Sequence, residues 1–317
     1  MAQTADTAGA APLQPASSAT PLGIAAAFAA IYLIWGSTYL GIRIAIESLP
    51  PLLMAASRFL LAGSLMYAWA RLRGTPRPHR RHWPQAAWIG GLMLLGGNGG
   101  VSWAEQRVSS GAAALIIATV PIWVALLDSL RRGGRKPGGW EIAGLALGPA
   151  GVALLVGPAA GAGAERVDGL GAAVLVGAAL SWTIGTLSAP GTDLPASKPL
   201  AIAMQMLCGG ALLLVAGLLT GEGARFHPAA VTARSLLALI YLALFGSIVA
   251  FSAYMWLLHH CPPARVATYA FVNPIVAVLL GWGLAGEPLG PRTLIAGLVI
   301  VSAVALIVLR PRFAAGS

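Results

Sequence analysis

The feature that most limits what this chain can become is its supply of uninterrupted apolar sequence. Stretches at 22–42, 51–70, 86–104, 108–130, 139–157, 169–189, 199–219, 235–258, 264–286 and 290–309 each run about 19 to 24 residues, enough to cross about 30 Å of hydrocarbon as a helix. With 57% hydrophobic and 9% charged residues, polar surface is too scarce to clothe a soluble globule of this length. Lipid is the fitting solvent. Residues 1–20 are rich in Ala, Ser, Thr and Pro, lack a basic n-region and lead into a span too long for a signal-peptide core, so the first helix is expected to be retained.

The chain also repeats itself. A shift of 153 places carries Trp103 onto Trp256, Ala114 onto Ala267, Pro121-Ile122 onto Pro274-Ile275, and Ile142-Ala143-Gly144-Leu145 onto Ile295-Ala296-Gly297-Leu298. A second register of 147 carries Trp35 onto Trp182, Arg58 onto Gln205, Leu60 onto Leu207 and Gly63 onto Gly210. The expected architecture is an all-α integral membrane protein of ten transmembrane helices in two five-helix repeats, 22–157 and 169–309. A linker at 158–168 joins them, and tails at 1–21 and 310–317 flank them, the first expected to be disordered. Five helices is an odd number, so the second repeat enters the membrane upside down relative to the first. Arg71, Arg73, Arg77, Arg80 and Arg81 crowd one connection, and Arg131, Arg132, Arg135 and Lys136 crowd another two helices later. That bias places both termini in the cytoplasm.

The same placement explains the formal charge of +10 by topology and removes the case for nucleic acid. No GxxxxGK[ST] phosphate loop is present. Cys208 and Cys261 are isolated, without metal-ligand spacing, and His259-His260 reads as a solvated interface pair, so neither metal nor cofactor is expected. The implied partners are a small-molecule substrate and the lipid bilayer. Gly144 and Gly148 offer a GxxxG-like face for a possible homodimer.

Polar groups inside the spans mark candidate sites, because each needs a partner or water in hydrocarbon. Trp35-Gly36-Ser37-Thr38-Tyr39 puts an indole and three hydroxyls near the middle of the first helix. Trp182 is the repeat counterpart of Trp35. Arg58 is a full charge well inside a span, calling for a carboxylate such as Glu47 or Glu105, or for an anionic substrate group; its counterpart Gln205 is neutral. Asn98 sits among four glycines, including Gly97. Tyr269 and Asn273 share a helical face, as do Ser247, Phe251 and Tyr254. Pro121 and Pro274 each free a carbonyl, and with Gly97 and Gly246 they are the candidate hinges. Packing alone accounts for such residues in many membrane helices, as interhelical glue. No acidic residue falls at mid-membrane, so nothing supports proton coupling, and Glu105 reads as a residue of the outer end.

Taken together, Trp35-Gly36-Ser37-Thr38-Tyr39, Arg58-Phe59-Leu60-Leu61-Ala62-Gly63, Gly97-Asn98-Gly99, Gly111-Ala112-Ala113 with Thr119-Val120-Pro121, Tyr241 to Ser247, Tyr269 with Asn273-Pro274, and Gly286-Glu287 resemble the EamA-type drug/metabolite transporter superfamily. Within it they are most similar to YedA-like inner-membrane exporters of bacteria. The resemblance implies export of amino acids, related metabolites or drugs, with Trp35, Thr38, Asn98, Trp182, Tyr254, Tyr269 and Asn273 lining a central cavity. It places the helices of Arg58 and Gln205 less centrally. One departure is Arg132-Gly133-Gly134, which stands in the first repeat where the second has Gly-Glu. The expected function is a secondary transporter of the bacterial inner membrane working by alternating access, and not an enzyme. The alternative is a membrane scaffold or sensor that transports nothing.

Overall fold

A computed structural model describes residues 20–131, 136–156, 167–261 and 263–308. The N-terminal tail, most of the linker, the C-terminal tail, Arg132-Gly133-Gly134 and the His259 side chain lie outside the described residues. All regular structure among the described residues is helical. Eight helices there are long and apolar enough to cross a membrane, and Tyr269–Ala285 is a shorter apolar one.

The long segments are α1 (Pro21–Ala45), α2 (Pro51–Leu72), α3 (82–104), α4 (Ser110–Leu130), α5 (Gly139–Val156), α6 (Gly169–Ser188), α7 (Lys198–Leu219), α8 (233–260), α9 (Tyr269–Ala285) and α10 (Pro291–Val308). Local chemistry sets their starts. Thr20, Ser109, Asp168 and Thr232 accept backbone N–H groups from the first turns of α1, α4, α6 and α8, and Pro21 and Pro51 occupy first positions, where a missing N–H costs nothing. Left-handed glycines follow α2, α7 and α9: Gly74 (φ 81°), Gly221 (φ 78°) and Gly286 (φ 66°). Gly74 and Gly221 are related by the 147-residue register.

Two segments change helical type midway. α3 is π-helical over Gly91–Gly99 and α8 over Leu242–Val249. These wider turns contain the hinge candidates Gly97 and Gly246. α4 breaks its regular hydrogen bonding at Ala118-Thr119 and resumes at Val120, one residue before Pro121, whereas α9 carries Pro274 inside a continuous helix.

Glycine contacts define how the helices cross. Along α2 and α7, Leu53 lies against Gly217, Leu60 against Gly210 and Gly63 against Leu207, so the two run antiparallel. Those last two contacts are reciprocal between repeat counterparts. α4 and α9 are also antiparallel, with Gly111 against Val278 and Ser110 against Gly281. So are α5 and α10, with Gly144 against Ile307 and Gly151 against Ile300. Gly148 meets Ile122 of α4. The Gly144 and Gly148 face, expected to be free for a second copy, is therefore filled by α10 and α4 of the same chain, because small residues let neighbouring backbones close on it first.

Candidate functional site

The site grows from the middle of α1. Gly36 lets α9 approach, with Val276 and the Asn273 carbonyl where a side chain would stand, and this brings the start of α9 beside Trp35. The Trp35 ring then meets Tyr269 edge-on at 5.1 Å, Tyr254 at 5.3 Å and Phe251 at 6.4 Å between centroids. Tyr254 closes the group against Tyr269 at 5.8 Å and Phe251 at 6.0 Å. Tilted and edge-to-face pairs of this kind are favourable through the ring quadrupoles. All four rings are only half-buried, so they form a cage with open surface rather than a sealed core.

A polar layer lies next to the cage. Trp35 Nε1 donates to the Gly246 carbonyl at 3.1 Å, inside the π-helical turn of α8. Thr38 and the Arg58 guanidinium both lie against Gly246, within 3.0 and 3.2 Å of where a side chain there would begin. Arg58 Nε donates to Ser247 Oγ at 2.9 Å, and Ser247 bonds back to the Leu242 carbonyl at 3.1 Å. Ser37 and Tyr241 join hydroxyls at 2.6 Å. Arg58 is 6% exposed and stacks on Phe59, while no acceptor among the described residues meets its terminal nitrogens.

This corrects the expectation of a carboxylate partner for Arg58. Glu47 pairs with Arg234 at 3.5 Å on an exposed surface instead, and Glu105 bonds to neither. Arg58 sits beside Thr38 and Gly246, closer to the aromatic cage than the resemblance implied.

The remaining candidates divide. Asn273 is buried below Trp35, where its amide nitrogen donates to the Tyr32 and Tyr269 carbonyls at 3.3 Å each. Asn98 and Trp182 lie at a separate crossing: the Trp182 ring covers Gly97, Ser181 donates to the Leu92 carbonyl at 2.7 Å, and Asn98 reaches back to Met93 at 3.5 Å. Gln205 belongs to the packing of α7 on α3, its carbonyl against Gly90. No hydrogen bond or ring contact among the described residues ties these three to the Trp35 cage. An open groove of ≈ 690 Å³ runs along the first half of α1, lined by Ile24, Phe28, Tyr32 and Arg265 among others, and ends one turn short of Trp35.

Sequence reasoning missed two structural carboxylates. Glu222, following Gly221, accepts the Leu52 and Leu53 N–H groups at 3.0 Å each, at the start of α2. Glu287, following Gly286, accepts Ser110 N at 2.8 Å, Gly111 N at 3.1 Å and Ser110 Oγ at 3.0 Å, at the start of α4. The available signal was the Gly-Glu pair that recurs at Gly221-Glu222 and Gly286-Glu287, each just after an apolar run.

The chain is 43% identical over 281 residues to the inner membrane transporter YedA of Escherichia coli K12, covering 88% of this chain and 89% of that one. It is 29% identical to the protein PecM of Dickeya dadantii over 86% of this chain and 90% of the relative, and 25% identical to a chloroplastic WAT1-related protein of Arabidopsis thaliana over 87% and 67%. A solved crystal structure at 20% identity shares the fold, with a TM-score of 0.61 over 91% of this chain and 98% of the other. The profile of the EamA-like transporter family matches twice, at residues 21–157 and 169–309, and the chain belongs to that family.

Proposed function

We propose that the chain is a secondary carrier of ten transmembrane helices in two inverted repeats, exporting amino acids, related small metabolites or drugs across the bacterial inner membrane by alternating access. Both termini lie in the cytoplasm. The antiparallel pairing of α2 with α7, α4 with α9 and α5 with α10 supports the inversion, because each pair consists of repeat counterparts. The relative named as an inner membrane transporter supports the compartment.

The observation that carries the reading is the half-open cage of Trp35, Phe251, Tyr254 and Tyr269 with Arg58 beside it. Aromatic faces attract an ammonium group or an apolar side chain, and the free fork of Arg58 suits a carboxylate. An amino acid presents all three. Trp182, Asn98 and Gln205 act at the neighbouring crossings as positioning residues, and Gly97, Gly246, Pro121 and Pro274 absorb the backbone change during rocking.

Amino-acid transport into inverted vesicles tests this. Trp35→Ala removes the ring shared by three aromatic contacts and should cut transport about tenfold or more, a loss of about 1.4 kcal/mol of binding per decade, at unchanged membrane abundance. Transport at the wild-type rate by that variant removes the cage from the solute path.

A further inference from the structure

Glu105 is the first residue beyond α3, and it is the one carboxylate among the described residues that is fully buried with neither oxygen meeting a donor. Glu222 and Glu287 satisfy their oxygens on helix starts. Glu105 does not, although donors are near. The Arg43 guanidinium at the end of α1 donates to the main-chain carbonyl of Glu105 and leaves its carboxylate alone. Arg58 of α2 spends its Nε on Ser247, and its terminal nitrogens form no hydrogen bond to the Glu105 carboxylate. Glu287, from the connection after α9, is occupied by Ser110 and Gly111, and Tyr39 of α1 completes the set of charged and titratable groups whose fields reach Glu105.

An ionised carboxylate stripped of water and of every donor costs several kcal/mol. A second carboxylate nearby adds repulsion, whereas the neutral acid is tolerated. A metal cation is a poor alternative occupant, since a hard cation asks for about six oxygen ligands and no cluster of three or more His, Cys, Asp or Glu among the described residues could hold one.

We propose that Glu105 is a proton-binding site, occupied in the arrangement seen here and emptied when Arg43 swings from the Glu105 carbonyl to its carboxylate. The O–H bond breaks, the proton passes to water at that end of the bundle, and an Arg43–Glu105 ion pair replaces it. Arg43 shares α1 with Trp35 and Thr38, so the exchange moves the helix that carries the cage. The site stands without the carrier reading; its use in driving solute exchange rests on it.

Infrared difference spectra of the purified protein in lipid nanodiscs, taken between acid and alkaline buffer without any solute, read the site directly. Wild type should show a protonated-carboxyl band that persists at neutral pH, where an ordinary carboxylate with its reference value of about 4.3 is ionised. Glu105→Gln, which keeps the size and neutrality of the acid, should lack that band and fold normally. Arg43→Gln should retain the band to higher pH, because the ion pair that replaces the proton is gone. An identical titration in wild type and Glu105→Gln overturns the proposal, and so does a band that responds to sodium at fixed pH. If the band behaves as expected and vesicles carry no solute, the carrier reading fails and the proton site does not.

Discussion

Glu222 and Glu287 do the same work in two places. Each follows a left-handed glycine, and each carboxylate accepts main-chain N–H groups from the first turn of a helix in the other half of the chain. The positive end of the helix macrodipole and the unsatisfied donors of a first turn both favour an anion there. Glu222→Gln or Glu287→Gln keeps the shape but loses the charge, and each should lower stability by about 1 to 3 kcal/mol. Thermal unfolding in detergent checks this, with the double variant close to the sum because the two carboxylates share no hydrogen-bond partner. The role of Arg58 shows why single residues were only half legible. Its need for a partner follows from burial, but that the partner is Ser247 and the neighbour Gly246 depends on a π-helical turn that composition does not reveal.

At the scale of elements, the apolar runs located the helices because length and hydropathy suffice in lipid. Their internal irregularities stayed hidden. A π-helical turn adds a residue to the turn, and in a segment that is apolar all round no amphipathic stripe slips to record it. The glycine run of α3 was visible as an interruption, and its purpose is the close approach of α6. A side chain at Gly97 would begin 3.0 Å from the Trp182 ring, and one at Gly100 2.9 Å from Ala178. Gly97→Val should therefore force α3 and α6 apart and lose most of the folded protein. Gly177→Ala on α6, where nothing stands within 4 Å, should be neutral or slightly stabilising. Fluorescence-detected size exclusion of the two variants separates crossing geometry from mere helix propensity.

For the whole molecule, the internal repeat was the most legible property, since equal spacings such as Gly63 to Gly210 survive in one dimension. What could not be read is that the halves pack through one another, α2 on α7 and α1 on α9, and not as two side-by-side bundles. Neither half can bury its own small-residue faces alone. Expressed separately, residues 1–157 should be degraded, and co-expression with 158–317 should restore both fragments, as immunoblots of membranes would report. The aromatic cage draws its rings from both halves for the same reason: Trp35 comes from one, and Phe251, Tyr254 and Tyr269 from the other. The Gly-Glu pairs also share one end of the bundle, where α7 and α9 finish and α2 and α4 begin. Drawing those helices apart would strand the amides of Leu52, Leu53, Ser110 and Gly111 until water or lipid phosphate solvates them, which sets an activation barrier on any motion that parts that end. Thr75 stands in the earlier repeat where Glu222 stands in the later one, so the repeat does not duplicate that carboxylate, and the resistance it lends belongs to one end of the helix pair alone.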